Sequence, residues 1–279
     1  MPGLMCFHAH PDDEVIGTGG ILARYSQLGE QVVVVTATDG AEGEIHNYDD
    51  PDSIKDRLDE VRAEEIRDAL ALLGVKHHEF LGYRDSGMMG TEANRHEKAF
   101  WNADLFEATG KLVRLIRRYQ PEVMTIYDPF GGYGHPDHIQ VHRVGMAAFF
   151  GSRDFGWYPL EKGEEAWEPR KLYWGAWSRG RMKAYSEYFE DSEDREARTW
   201  WENRGIPDSE VSAVIDVSDF ANLKIEALKA HRSQIPADWM MLRVPEEARG
   251  QVFGNELFQR IFSTVDSPLP ESDLFAGLR

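Results

Sequence analysis

The 279-residue sequence has one cysteine, no long apolar run and no signal-like segment, and each absence excludes a class of protein. The single cysteine, Cys6, cannot form a disulfide within the chain, and its place in an apolar run predicts a buried thiol. A membrane-spanning helix needs about 18 apolar residues in a row, and no such run occurs. No basic stretch is followed by an apolar segment and a cleavage site. We therefore expect a cytoplasmic protein.

Basic residues are also scarce relative to acidic ones. The chain has 31 Lys and Arg against 49 Asp and Glu, which gives a net charge of −18. This charge repels a nucleic-acid backbone and an anionic membrane surface, so we expect neither as a partner. The oligomeric state is left open, and a homo-oligomer is compatible with the sequence.

Apolar runs and helical periodicity alternate through the first 150 residues. Such alternation predicts an α/β protein with a Rossmann-like, doubly wound and mostly parallel sheet. The predicted strands are Leu4–Phe7, Gln31–Thr36, His78–Leu81 and Pro121–Tyr127, and the predicted helices are Thr18–Gly29, Ser53–Leu73, Asp104–Tyr119 and Pro136–Phe150.

The pattern changes after Gly151. Lys171–Trp177 and Val211–Val217 have the composition of strands, but the segments between them are irregular. We therefore expect residues 1–150 to form a Rossmann-like core. Residues 151–279 are expected to be a C-terminal α+β elaboration that completes the sheet, within one structural domain.

Two imidazoles and three carboxylates lie in the stretch from His8 to Glu14, directly behind the first predicted strand. Pro11 suits the first position of a helical turn, because its missing N–H would be unpaired there. Residues three apart share one face of such a turn, so His10 and Asp13 can converge on one cation while Asp12 stays free to move a proton. Acidic residues at a helix start are also typical of simple dipole stabilisation.

A second stretch, Gly134–His138, repeats the His-Pro-Asp pattern just after the fourth predicted strand. In a doubly wound sheet of order 3-2-1-4, strands one and four are neighbours, and ligands bind outside their carboxyl ends. The two stretches are therefore predicted to meet in one crevice.

Histidine nitrogens combined with a carboxylate oxygen suit zinc. A catalytic zinc site has three protein ligands at about 2.0–2.2 Å and keeps one position open for water. His10, Asp13 and His138 would fill the three places, although spacing alone also allows His135 to be a ligand. Fe²⁺ accepts similar donors.

The stretches Ala9–Glu14 and Gly134–His138, and more weakly His231–Gln234, resemble those of the zinc-dependent deacetylases of the PIG-L/LmbE type. That family has a Rossmann-like fold and removes N-acyl groups from N-acetylglucosamine-like sugars and related metabolites. The resemblance implies a metal-dependent hydrolase of linear amides whose partner is a small amino-sugar substrate.

The resemblance also implies a role for each residue of the two motifs. His10, Asp13 and His138 would hold zinc, and Asp12 would be the general base that activates water. His135 would be the imidazole beside the oxyanion, in its protonated form, and Asp137 would orient His135 and stabilise its charge.

Within the family, the sequence is similar to the branch that acts on mycothiol and its precursor, through Arg84–Met88, Arg62 and Tyr133. This similarity implies that Arg62 and Asp85 grip sugar hydroxyls and that Tyr133 swings over the reacting carbonyl. Val15 follows the acidic cluster where that branch is expected to have Ser. The substrate is thus either an N-acetylglucosamine-containing mycothiol precursor or another amide, such as a mycothiol S-conjugate.

Two other hypotheses start from the same residues. His8 and His10 after a first strand also suit the metal site of an amidohydrolase with a (β/α)₈ barrel, but only four strand–helix units are clear in the first half. Alternatively, the crevice belongs to a non-catalytic, metal-stabilised sugar-binding protein. Such a protein would have no need for Asp12 and His135.

Overall fold

The computed structural model describes residues 3–188 and 205–279 of the chain. Within these ranges seven strands form one sheet. They are β1 (Gly3–His8), β2 (Gln31–Thr38), β3 (His77–Tyr83), β4 (Val123–Ile126), β5 (Lys171–Gly175), β6 (Ala213–Asp216) and β7 (Asn255–Ser263).

The order of the strands across the sheet is β3-β2-β1-β4-β5-β7-β6. Strands β1 to β5 are parallel to one another, and β7 is antiparallel to both β5 and β6. The predicted doubly wound, mostly parallel sheet is confirmed. The (β/α)₈ barrel is wrong, because the described strands form a mixed sheet with β3 and β6 at its edges.

Helices cover both faces of this sheet. In the described ranges they are α1 (Asp13–Gln27), α2 (Asp52–Lys55), α3 (Leu58–Leu72), α4 (Leu105–Tyr119), α5 (Pro136–Gly151), α6 (Arg179–Tyr188), α7 (Ala221–Ala230) and α8 (Glu246–Phe253). None of the helices in the described residues combines the length and the apolar character that crossing a bilayer requires.

The alternation of side chains along β1 divides the interior into two cores. Leu4 and Cys6 pack on one face with residues of α1, α3 and α7, whereas Met5 and Phe7 pack on the other with residues of α4 and α5. All four side chains are fully buried. The prediction of a buried thiol at Cys6 is confirmed, and burial raises the pKa of this thiol to about 12.

Helix α1 is pressed against the C-terminal half of the chain. A Cβ atom at Gly20 would lie 2.5 Å from Cγ2 of Val217, so only glycine permits this approach. The carboxylate of Glu256 on β7 accepts the backbone N–H groups of Gly20 and Ile21, each at 2.8 Å, and also pairs with Lys224. The helix behind the first motif is therefore fixed by the last strand of the sheet.

The structure differs from the sequence-based elements at three places. Helix α1 begins at Asp13 instead of Thr18, with Asp12 as its N-cap, so Pro11 lies just before the helix and not at its first position. The helix predicted over 53–73 is two helices, interrupted at residues 56–57. Strand β7 was not predicted, and it joins β6 to the rest of the sheet.

Candidate functional site

The two His-Pro-Asp turns meet at the carboxyl ends of the neighbouring strands β1 and β4. His10 and the acidic residues after it lie between β1 and the start of α1. His135 is the N-cap of α5, and His138 lies in the first turn of that helix. Each of the three imidazoles is nearly buried. The predicted convergence is therefore present.

Three of the converging groups have the spacing of metal ligands. Oδ2 of Asp13 is 3.3 Å from Nδ1 of His10 and 3.3 Å from Nε2 of His138. Tetrahedral zinc with bonds of about 2.0–2.1 Å holds its ligand atoms about 3.3 Å apart. Both distances match this spacing, so the geometry is compatible with a zinc ion shared by His10, Asp13 and His138, whose role as ligands remains a prediction.

The second nitrogen of His10 faces two further carboxylates. Its Nε2 atom is 3.2 Å from Oδ2 of Asp137 and 3.4 Å from Oδ1 of Asp85. Such contacts orient a metal-binding imidazole and fix its tautomer. Burial opposes the protonation of His10, but Asp85, Asp13 and Asp137 together raise its pKa well above the usual value. The three carboxylates thus favour a positive charge at and beside His10.

Asp137 does not occupy the position that the resemblance implied. Its carboxylate contacts His10 and accepts both the backbone N–H (2.8 Å) and the hydroxyl of Ser86, whereas only its backbone N–H reaches His135. The reason is helical geometry, because the first turn of α5 directs the Asp137 side chain away from its N-cap residue. The carboxylate of Asp137 is a support for His10.

His135 is held in its neutral form. Burial lowers the pKa of its imidazole to about 3, and the nearby His10 and His138 lower it further. Nδ1 of His135 accepts the backbone N–H of Asp137 at 3.2 Å, which assigns the imidazole proton to Nε2. The expected protonated form is therefore not favoured. Nitrogens of His10, His135 and His138 lie within 4.8 Å of one another, so His135 borders the cation position.

Asp12 has an unusual backbone conformation, with a φ of 116°. Non-glycine residues held in such regions cost about 1–3 kcal/mol and are typical of functional sites. Its carboxylate accepts a hydrogen bond from Arg62 at 3.2 Å. Burial raises the pKa of Asp12 to about 6, although Arg62 opposes the increase. A carboxylate with this pKa can take up and release a proton near neutral pH.

The residues predicted to bind substrate line the same cavity as the catalytic groups. The Arg62 guanidinium also donates to the carbonyls of Pro11 (2.5 Å) and Gly40 (2.6 Å), so it supports the Asp12 turn. Burial raises the pKa of Asp85, but the adjacent His10 and the N–H of Gly87, which donates to Asp85 at 2.8 Å, together lower it below its usual value. That Arg62 and Asp85 bind sugar hydroxyls remains a prediction.

Tyr133 lies at the rim of the cavity and is 39% exposed. Its hydroxyl is 3.4 Å from Nε2 of His138, and the flanking Gly132 and Gly134 have φ values of 74° and 94°. Only glycine adopts such angles readily, so the conformation of this loop depends on the glycines that flank Tyr133. This placement is compatible with the predicted movement of Tyr133 over a carbonyl, which remains a prediction.

The cavity has a volume of about 920 Å³ and extends beyond the motif residues. One wall comes from the C-terminal half and includes Trp177, Trp239, Met240 and Phe253. Sequence reasoning assigned none of these residues to the site, because large apolar side chains are also typical of a core. It also missed Ser86, although this residue lies within the quoted Arg84–Met88 stretch.

Comparison with known proteins agrees with this geometry. The profile of the family described as PIG-L, GlcNAc-PI de-N-acetylase, matches residues 5–149. Relatives named 1D-myo-inositol 2-acetamido-2-deoxy-alpha-D-glucopyranoside deacetylase include one from Nocardioides sp., which is 38% identical over 307 residues and covers 99% of this chain and 98% of its own. Another, from Streptomyces avermitilis, is 39% identical over 295 residues, covering 99% of this chain and 97% of its own.

Among solved structures, N,N'-diacetylchitobiose deacetylase from Pyrococcus horikoshii has the same fold. It superposes with a TM-score of 0.65 at 22% identity, covering 93% of this chain and 83% of its own. The conserved protein TT1542 from Thermus thermophilus superposes with a TM-score of 0.62 at 22% identity, covering 96% and 98%. By its profile match and its full-length relatives, the chain belongs to the PIG-L family of GlcNAc-PI de-N-acetylases.

Proposed function

We propose that the protein hydrolyses the acetamide of an N-acetylglucosamine-containing small molecule with the aid of one zinc ion. The observation that carries the proposal is the distance of 3.3 Å from Asp13 to both His10 and His138. Asp12 and His135 line the same cavity as these residues. The full-length relatives named as deacetylases support the same reaction.

His10, Asp13 and His138 would hold the cation. Zinc bound there lowers the pKa of a coordinated water and polarises the amide carbonyl. Two nitrogens and one oxygen favour zinc over Mg²⁺ or Ca²⁺, and Fe²⁺ is the alternative that the same donors accept.

Asp12 would take the proton from the attacking water. Its raised pKa and its contact with Arg62 keep the carboxylate ionised but basic near neutral pH. The same carboxyl group can then return the proton to the leaving amine. Neutral His135 would donate its Nε2–H to the carbonyl oxygen as negative charge develops there. Asp137 and Asp85 would keep Nδ1 of His10 directed at the cation.

We propose an N-acetylglucosaminyl-inositol as the substrate, by analogy with the compound in the names of the relatives. Residues 1–150 would supply the catalytic core, and residues 151–279 would wall the pocket. Arg62, Asp85 and Tyr133 are the candidate sugar contacts. A second candidate is a larger amide with an apolar substituent, such as a mycothiol S-conjugate. The apolar wall that includes Trp239, Met240 and Phe253 favours it, because an apolar substituent packed against this wall would be removed from water.

Turnover of the two substrate types tests these proposals. Purified protein is incubated with an N-acetylglucosaminyl-inositol or with an S-conjugate, with and without a chelator, and the free amine and acid are quantified. We expect metal-dependent release of acetate, and loss of release in Asp12→Asn with zinc still bound. Zinc binding without hydrolysis of either substrate would contradict the proposal and favour a sugar-binding protein.

A further inference from the structure

A buried ion pair lies directly behind the Asp12 turn. Oε1 of Glu14 is 2.7 Å from Nε2 of His231, and both side chains are fully buried. The two residues are 217 positions apart in the chain. Neither is among the described residues that line the cavity, so the pair does not contact a substrate there.

The second oxygen of Glu14 reaches the turn itself. Oε2 accepts the backbone N–H of Asp12 at 2.9 Å. The carbonyl oxygen of Pro11, at the other end of the same peptide group, accepts a hydrogen bond from Arg62 at 2.5 Å. The Pro11–Asp12 peptide is therefore held from both sides, and the direction of its N–H determines φ of Asp12.

We propose that Glu14 and His231 are positioning residues that hold Asp12 in its catalytic conformation, an inference that rests on the proposed function. The Asp12 backbone has a φ of 116°, which an unrestrained aspartate leaves for the negative region. Such a rotation would turn the Asp12 carboxylate away from its present position, where it accepts a hydrogen bond from Arg62 and lines the cavity. Glu14 opposes the rotation through the N–H, and His231 fixes Glu14.

An ordinary helix cap does not account for the arrangement. Glu14 lies two positions after the N-cap Asp12, and an acidic side chain in the first turn commonly returns to the N-cap N–H. A cap needs one carboxylate oxygen, and its other oxygen is usually in water. Here both oxygens are engaged inside the protein, and Nδ1 of His231 is buried with no protein partner. Burying an imidazole and a carboxylate together is costly for capping alone.

The chain also contains a matched control. The loop that carries His231 is attached at a second point, where Glu65 accepts the backbone N–H of Ser233 (2.7 Å) and its hydroxyl (2.6 Å). Glu65 is nearly buried, and within the described part of the chain its carboxylate bonds to this loop and not to Asp12. The change Glu65→Gln therefore weakens the same loop by the same chemistry as Glu14→Gln.

The test compares Glu14→Gln, His231→Leu, His231→Gln and Glu65→Gln in the zinc-loaded enzyme. We expect Glu14→Gln and His231→Leu to lower kcat by about 10- to 100-fold, with KM and zinc affinity changed by no more than about twofold. His231→Gln can still donate to Glu14 and should recover most of kcat. Glu65→Gln should match Glu14→Gln in loss of thermal stability but keep kcat.

Each result bears on the proposal separately. Equal kcat losses in Glu14→Gln and Glu65→Gln, or a crystal structure of Glu14→Gln with φ of Asp12 unchanged, would overturn the positioning role. If Glu14→Gln does not fold, the pair of His231 variants decides by the presence or absence of recovery. A wild-type enzyme with no metal-dependent turnover would overturn the proposed function itself, and with it the role of Asp12.

Discussion

The carboxylate of Asp137 should control zinc affinity and not only the activity of His135. It lies 3.2 Å from Nε2 of His10 and is oriented by Ser86. The change Asp137→Asn keeps the shape and an acceptor for Ser86 but removes one of the negative charges around the cation. Zinc and a proton compete for His10, and zinc carries the larger charge. Removing a negative charge therefore destabilises the zinc-bound form more than the protonated form.

We expect Asp137→Asn to weaken zinc binding by about 10- to 100-fold, which equals about 1.4–2.8 kcal/mol. The measurement is a competition titration of metal-free protein against a chromophoric chelator. His135→Gln serves as the control and should bind zinc like the wild type, because His135 is not one of the three proposed ligands. Unchanged affinity in Asp137→Asn would refute the reasoning and return Asp137 to its expected partnership with His135. Weakened affinity in His135→Gln would make that histidine a ligand.

Three further changes test the packing of the fold. Lys171→Met should cost about 1–3 kcal/mol in chemical denaturation, because it removes the 2.7 Å partner of the buried Glu271 carboxylate, which keeps Arg260 at 2.9 Å; an undiminished stability would show that the Lys171–Glu271 pair is dispensable. Gly20→Ala should cost about 1–3 kcal/mol through the overlap with Val217, and adding Val217→Ala should recover part of it in the same assay. His78, whose pKa burial lowers from 6.5 to about 4, stays neutral in the fold while the unfolded chain takes up a proton. Stability should therefore decline by about 1–3 kcal/mol as the pH falls through this window, and urea denaturation should show a smaller decline in His78→Gln.

The sheet and the meeting of the two motifs could be predicted because both follow from general rules. Alternating apolar runs and amphipathic helices require a parallel sheet, and the reversal of winding places the ends of the first and fourth strands together. The motif spacing then identified His10, Asp13 and His138, whose side chains the structure brings within ligand distance. Neither the sheet nor the meeting of the motifs depends on the details of side-chain packing.

The parts that could not be predicted depend on side-chain direction and on distant partners. The sequence shows Asp137 two positions from His135, but only the geometry of the first turn of α5 reveals that its carboxylate faces His10. Strand β7 is half-exposed along much of its length, so it has no continuous apolar run to identify it. The pairing of Glu14 with His231 is equally invisible, because no periodicity links positions so far apart.

The connection of α1 to the last strand has a consequence for how the protein is made. Gly20 bonds to Glu256 across 236 positions, Glu14 to His231 across 217, and His10 to Asp137 across 127. Contacts of such long range form late and slow folding, because the intervening chain must first be closed into a loop. A growing polypeptide that ends before residue 231 has all the proposed zinc ligands but not the support of the Asp12 turn. During synthesis, metal capture can therefore precede catalytic competence by nearly a hundred residues.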